Sequence, residues 1–230
     1  MVSFNNLYNN ANMIQVASKG PVKVFEHQKD LSVESSNAIN AYFASKMNLR
    51  KRQVLIELNG NSFCTQAGAM QWIAGNVTMG SGIKGVGDFL GKAFASAVTK
   101  ESASKPEYSG NGLVMLEPTY KHILLEDIGE WGSIVLDDGL FLACDTALTK
   151  KVVARSNLSS AALGKEGLFN LSLSGNGIAV LESPVAREEL VEINLQNDEV
   201  KIDGNMAIAW SASLPVSYTH LRAHETDSYL

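Results

Sequence analysis

The alternation of apolar and polar positions marks most of this chain as strand. Short β-branched runs at 22–25, 54–58, 152–154 and 190–193 are separated by Gly, Asn, Asp and Pro, the texture of strands joined by tight turns. Two stretches break it. Ser35-Ser36-Asn37 offers an N-cap, and Ile39, Tyr42, Phe43 and Met47 follow at helical spacing, which predicts a short amphipathic helix over 37–49. Beyond a Gly-rich run, Val86, Phe89, Leu90, Ala93, Phe94, Ala97 and Val98 also recur at helical spacing. They predict a second, glycine-softened helix within 80–100.

The chain also repeats itself. Ser109-Gly-Asn-Gly-Leu-Val-Met-Leu-Glu117 returns as Ser174-Gly-Asn-Gly-Ile-Ala-Val-Leu-Glu182, and Asp138-Gly139 answers Asp203-Gly204 at the same offset. After one extra residue, Leu142-Ala143-Cys144 corresponds to Ile208-Ala209-Trp210, and a degenerate earlier copy runs from Val54 through Asn59-Gly60 to 68–77. Repetition at this period means one supersecondary unit used more than once. In each copy Gly-Asn-Gly is expected to make a tight turn ahead of a strand. The expected fold is all-β: a β-sandwich or open barrel of repeated multi-strand units, with one or two short amphipathic helices.

Composition narrows the function classes. The 230 residues are 45% hydrophobic and 19% charged, enough apolar mass for one large core. Nineteen basic against 24 acidic residues leave a net charge of −5, a poor balance for gripping phosphate backbones, so no nucleic-acid partner is expected. Two cysteines fit a reducing compartment. No secretory or transit signal opens the chain, and no apolar run approaches the ~20 residues of a spanning helix. The expected location is the bacterial cytoplasm, or the periphery of its membrane. Residues 1–12, rich in Asn and without charge, read as a flexible lead, and 13–214 as a single repeat-built β domain. From 215 the texture breaks; 216–226 reads as a translated sequencing adapter. Residues 215–230 are therefore expected to be read-through that replaces the native C-terminus. Setting them aside leaves His27 and His122 as the histidines.

Candidate chemistry is sparse. Gly80-Ser-Gly-Ile-Lys-Gly85 spells a dinucleotide fingerprint, but its flanks are β repeats rather than a strand–turn–helix unit. Gly91-Lys92 resembles the end of a phosphate loop, with Ala93 where a metal-binding hydroxyl belongs. Lys46, Arg50, Lys51 and Arg52 form the one basic cluster. A solvated helix end near the negative pole of the helix dipole explains it; phosphate or lipid headgroup contact is the sharper alternative. Glu117 and Glu182 occupy equivalent repeat positions, which favours a structural role at strand ends over acid/base work. Cys64 and Cys144 sit in strand-like runs as small core residues. A Cys–His nucleophile would need a histidine from an unrelated context, and a metal centre would need more clustered ligands. No catalytic residue, metal or cofactor is expected, and the chain reads as non-enzymatic. The candidate interaction surface is Phe89, Leu90 and Phe94, on the second helix. Packing of that helix against the sheet or a neighbouring subunit is the plainer account, and its near-balanced charge weakens a lipid-binding role.

An ordered series of motifs carries a family resemblance. It runs Ala67-Gly-Ala-Met-Gln-Trp-Ile-Ala-Gly-Asn76, Gly85-Val-Gly-Asp-Phe-Leu-Gly91, Lys100-Glu-Ser and Tyr108-Ser-Gly-Asn-Gly112. Gly139-Leu-Phe-Leu-Ala143, Gly167-Leu-Phe-Asn-Leu171, Gly175-Asn-Gly177 and Ala207-Ile-Ala-Trp210 complete it. Across 13–214 the chain resembles bacterial members of the mitochondrial biogenesis family named for altered inheritance of mitochondria. The resemblance implies a β-sandwich related to the tryptophan RNA-binding attenuator protein fold, often a homotrimer. The fungal relative belongs to the mitochondrial inner membrane, where it supports cristae-organising complexes, and the family supplies no catalytic residues to carry over. The functional expectation is a non-enzymatic, homo-oligomeric β scaffold, a trimer by resemblance, that meets a protein partner or membrane surface. The alternative is a small-ligand-binding β domain.

Overall fold

The computed structural model describes residues 2–80, 105–154, 169–202 and 206–216. Readings that fall on 81–104, 203–205 or 217–230, including Phe89, Leu90, Phe94, the glycine fingerprint past Gly80 and most of the adapter-like tail, lie outside the described residues. The described chain is all-β, as its alternation predicts. Its strands are β1 (Met13–Lys19), β2 (Val22–His27), β3 (Arg52–Thr65), β4 (Met70–Gly80), β5 (Glu107–Leu116) and β6 (His122–Asp127), then β7 (Ser133–Leu136), β8 (Phe141–Asp145), β9 (Thr149–Ala154), β10 (Phe169–Ser174), β11 (Ile178–Ser183) and β12 (Ala209–Ser211). Two helices join them: α1 (Ala38–Lys46) and the single turn α2 (Ile128–Trp131).

The larger sheet runs β1-β2-β3-β8-β11-β6, with β5 on β3 and β4 on β5, and curls into a nearly closed barrel. A four-stranded sheet, β12-β7-β10-β9, packs beside it. All pairings are antiparallel.

The long strand β3 organises the core. Val54, Ile56 and Leu58 lie in one cluster with Tyr108, Val114 and Leu116, whereas Leu55 faces the other way, with Leu7, Phe25 and Met115. Between Asn59 and Ser62 the register against β5 slips by one residue, a β-bulge that reverses which parity faces which side. After it Phe63 rejoins the first cluster, and Cys64 faces a third, with Leu136, Leu173 and Leu181 from both sheets. One face of the larger sheet is thus covered at one end by the N-terminal lead and at the other by the smaller sheet. The lead packs: Leu7 is buried, Phe4 stacks on Trp72 at 5.3 Å, Asn10 accepts from the Met13 amide at the start of β1, and the Asn12 side chain bonds the backbone of Lys29, just past β2.

Three local expectations are corrected. The two Gly-Asn-Gly segments are not used alike. The second turns β10 into β11, with Gly175 at φ +107°, but the first lies inside β5 with Asn111 paired to both Asn59 and Asn76. There glycine serves close approach between strands: a Cβ on Gly75 would come within 2.9 Å of Gly112 Cα, and one on Gly110 would collide with the Asn76 carbonyl. The run 190–193 is not a strand. It follows Pro184 and a 3-10 turn at Arg187–Glu189, and leaves Val191 and Ile193 exposed. The predicted helix forms as a 3-10 turn (Ser35–Asn37) continuing into α1, but no residue of it is buried, and Asn37 makes no side-chain cap.

Candidate functional site

The segment between β2 and β3 carries α1 and is held by polar contacts at its base. Glu26 on β2 stands opposite Arg52 on β3, and Arg52 Nη2 reaches Glu26 Oε2 at 2.8 Å with both side chains nearly buried. Arg52 also donates to the carbonyl and side-chain oxygen of Asn48, at 3.1 and 3.0 Å. Asn48 ends the helical stretch in a left-handed conformation, φ +64°. Arg50 donates to Glu26 Oε1 and Gln28 Oε1 at 3.1 and 2.9 Å and reaches the Ser45 carbonyl. Lys51 Nζ meets Asp30 Oδ1 at 2.7 Å and Ser32 Oγ at 2.9 Å, and the Tyr120 hydroxyl donates to Asp30 Oδ2.

These charges perturb one another. Burial opposes the Asp30 charge, but hydrogen bonds from Lys51, Ser32 and Tyr120 outweigh it and hold its carboxyl well below the usual carboxylate range. The Tyr120 phenol is pushed up to about 12, first by its bond to Asp30 and then by burial. In a separate cluster with Lys23, burial and a bond to Glu57 raise Tyr8 to about 12. Burial also opposes the Glu57 charge, yet bonds from Lys23 and Tyr8 leave its carboxyl below its ordinary value.

Between this base and α1 lies an open cleft of about 650 Å³, whose walls include His27, Asp30, Asn40, Ala44, Lys51 and Tyr120. Gln28 lines it too. Its oxygen is taken by Arg50, and its Nε2 is buried without a hydrogen-bond partner among the described residues. Away from the cleft α1 leaves Ile39 72% and Phe43 63% exposed, and Met47 at its C-cap 81%.

The basic cluster therefore differs from the solvated helix end expected of it. Arg50, Lys51 and Arg52 turn inward onto Glu26 and Asp30, and Lys46 lies over the Tyr42 ring. Sequence reasoning passed over Glu26, Gln28, Asp30 and Tyr120; four cations within seven residues, in want of counter-ions, were the available signal. The two repeat glutamates are not brought together. Glu117 is exposed beyond β5, and Glu182 on β11 pairs with Lys121 at 3.1 Å. Neither histidine joins a cysteine: His27 bonds Gln53, and His122 stands opposite Ser183. The cysteines do meet each other. Cys64 on β3 stands opposite Cys144 on β8, with the sulfurs 3.4 Å apart. Among the described residues no cluster of three or more metal-ligating side chains occurs, and no helix is long and apolar enough to cross a membrane.

Fold and site define an all-β protein, a curled antiparallel sheet backed by a smaller one, that carries a polar-anchored helix with an exposed apolar side. The profile of the family described as mitochondrial biogenesis AIM24 matches residues 45–226, and the chain belongs to that family. An uncharacterised protein of Streptococcus pyogenes serotype M6 is 31% identical over 171 residues, spanning 70% of this chain and 67% of that protein. A crystal structure of another Streptococcus pyogenes protein is similar at 28% identity with a TM-score of 0.44; the match covers 59% of this chain and 60% of that one.

Proposed function

We propose that this chain is a non-enzymatic, homo-oligomeric β scaffold that docks a protein partner through the exposed side of α1. The observation that carries the reading is that helix: Ile39, Phe43 and Met47 face water while its C-terminal end is held by Arg50 on the Ser45 carbonyl and Arg52 on Asn48. Contiguous apolar exposure rimmed by polar residues is the mark of an interaction surface. A membrane surface is less well served, because the cations that would attract anionic lipid are paired with Glu26 and Asp30. Self-association is supported by the outer strands β1 and β4, each paired on one side only among the described residues. Both expose apolar side chains: Ile14 and Val16 on β1, Ile73 and Met79 on β4.

The test combines light scattering with cross-linking capture in the source cells, using wild type and an Ile39→Ser/Phe43→Ser/Met47→Ser variant. The reading expects a defined oligomer for both and loss of one cross-linked partner band for the variant. A monomer, or an unchanged partner band, overturns it. Flotation of wild type with anionic liposomes, abolished in the variant, would move the occupant from protein to membrane. The same assays on a Phe89→Ser/Leu90→Ser/Phe94→Ser variant measure the share of the second helix.

A second reading, a small-ligand-binding domain, is favoured by the cleft and the unpartnered Gln28 amide within it. A buried donor without a partner is costly, and a ligand acceptor would satisfy it. A thermal-shift screen of polar metabolites decides: saturable stabilisation that Gln28→Leu removes supports this reading, and no stabilisation rejects it.

A further inference from the structure

Cys64 and Cys144 are 80 residues apart in the chain, yet the β3–β8 register sets them face to face with Sγ···Sγ 3.4 Å. Both are free thiols and both are fully buried. Their pairing type follows from their neighbours. Thr146 N donates to Ser62 O, and Gln66 N donates to Leu142 O. These pairs lie two positions to either side of Cys64, and hydrogen-bonded pairs recur at every second position of an antiparallel ladder. The cysteines therefore occupy a hydrogen-bonded pair, whose Cα atoms are about 5.5 Å apart, inside the range of roughly 4.4–6.8 Å that a disulfide spans. Closing the bond requires the sulfurs to move from 3.4 Å to about 2.05 Å and the Cβ atoms, about 5.5 Å apart in such a pair, to draw in toward about 4 Å, so side-chain rotation is joined by a small approach of the two strands.

Each thiol has the other, and positive charge, beside it. The positive charges of Lys150, from β9 of the smaller sheet, and of Lys105 act on Cys64, and Glu107 balances Lys150. Lys105 itself lies over the Phe141 ring at 4.1 Å and donates to Gln66. The hydrogen bond from Cys144, opposed by burial and assisted by the two lysines, lowers the Cys64 thiol below its ordinary value. The same bond and burial push Cys144 up. The shift favours the thiolate of Cys64, the nucleophilic form, beside a thiol that can resolve it. Lys150 is only half-buried, and Cys64 itself is fully buried.

We propose that Cys64 and Cys144 are a peroxide-reactive dithiol that closes reversibly into a cross-strand disulfide. The Cys64 thiolate attacks one oxygen of a hydroperoxide. The O–O bond breaks, the departing oxygen takes a proton and leaves as water or alcohol, and Cys64 becomes a sulfenic acid. Cys144 Sγ then attacks Cys64 Sγ, the S–S bond forms, and the hydroxyl leaves with the Cys144 proton as water. Two electrons pass from the sulfur pair to the peroxide; with hydrogen peroxide, two thiols give one disulfide and two waters. A small dithiol reverses the reaction by exchange and is itself oxidised to its disulfide.

The test treats the reduced, folded full chain with a small excess of hydrogen peroxide. Free thiols are then counted after denaturation in an alkylating agent, and the intact mass is measured. The expected product has lost both thiols and two hydrogen atoms of mass, migrates as a single uncrosslinked chain on non-reducing gels, and returns to the dithiol with dithiothreitol. Cys144→Ala, which also removes the bond that lowers the Cys64 thiol, is expected to react more slowly and to stop at a Cys64 sulfenic acid that dimedone traps, and Lys150→Met to slow the wild-type reaction several-fold. Retention of both thiols, disulfides between chains, or stable oxidation of the wild type to sulfinic acid each overturns the proposal. An unchanged rate for Lys150→Met overturns the part given to Lys150. The first readout needs no substitution, so a variant that fails to fold leaves the test standing.

Discussion

Replacing Glu26 by Gln asks whether the ion cluster beneath α1 holds that helix in place. Glu26 and Arg52 face each other in the β2–β3 register, and their side chains are 11% and 6% exposed across a 2.8 Å contact. Unit charges about 4 Å apart at an effective dielectric of about 20 attract by roughly 4 kcal/mol. Gln keeps the shape and an acceptor oxygen but removes the charge. Arg52 is then left buried with Asn48 and the Arg50 carbonyl as its partners, and Arg50 loses its own carboxylate. Removing one member of a buried pair costs about 3–5 kcal/mol; with the remaining hydrogen bonds we expect about 3 kcal/mol. Glu199→Gln is the control, because the Lys201–Glu199 pair has side chains 81% and 78% exposed and no measurable loss is expected of it. The assay is equilibrium urea unfolding at neutral pH, read as a shifted midpoint at constant slope. A Glu26→Gln loss no larger than that of Glu199→Gln would refute the reasoning.

Gly110→Ala should destabilise by about 2 kcal/mol or more, because φ +121° is strained for alanine and the new Cβ meets the Asn76 carbonyl. Gly68→Ala, at φ +81° with open space around it, should cost only about 1 kcal/mol in thermal denaturation. Acid stability carries a definite sign. The folded-state values of Asp30 and Glu57 are depressed, so their contribution is present above the unfolded carboxylate value near 4 and is lost as pH falls below it. Asp30→Asn should lower the urea midpoint at neutral pH and flatten its fall on acidification. On the alkaline side, Tyr8 and Tyr120 are pushed up to about 12. Their contribution is full below the unfolded value near 10 and lost toward 12, so Tyr8→Phe should make the midpoint less sensitive to pH over that interval.

What was legible in the sequence was local. The runs at 22–25, 54–58 and 152–154 became parts of β2, β3 and β9, because β-branched side chains bounded by turn residues specify strands through neighbours in the chain. The run at 190–193 had the same composition but pairs with no strand among the described residues, and composition does not supply a partner. Gly-Asn-Gly is used twice in one sequence and in two conformations. Only the placement of β5 between β3 and β4 makes the first copy a close-approach site rather than a turn. The helical spacing of Ile39, Tyr42, Phe43 and Met47 found α1, and the same spacing predicted a buried face that the helix does not have. The counter-ions of Arg50, Lys51 and Arg52 are at Glu26 and Asp30, more than twenty residues earlier, and only the β2–β3 register joins them. Cys64 and Cys144 meet through register alone, across 80 residues.

The exposure of α1 is better understood from its anchors than from its apolar residues. A free amphipathic helix on a tether would turn its apolar side onto the nearest sheet, since each aliphatic or aromatic side chain so buried contributes about 1.5–3 kcal/mol. On our docking reading Arg52 and Arg50 oppose that turn, since they hold the carbonyls of Asn48 and Ser45 at the end of the helix. Such a grip is expensive, because each ion taken out of water costs several kcal/mol before its partner repays it. A well-packed apolar contact would have stabilised the fold at least as well. What the buried ion pair adds is orientation: it fixes the helix with Ile39, Phe43 and Met47 outward. The docking reading therefore rests on the pairing of these two features. If Glu26→Gln lets α1 roll inward, partner binding should fall even though every apolar side chain of the surface is still present.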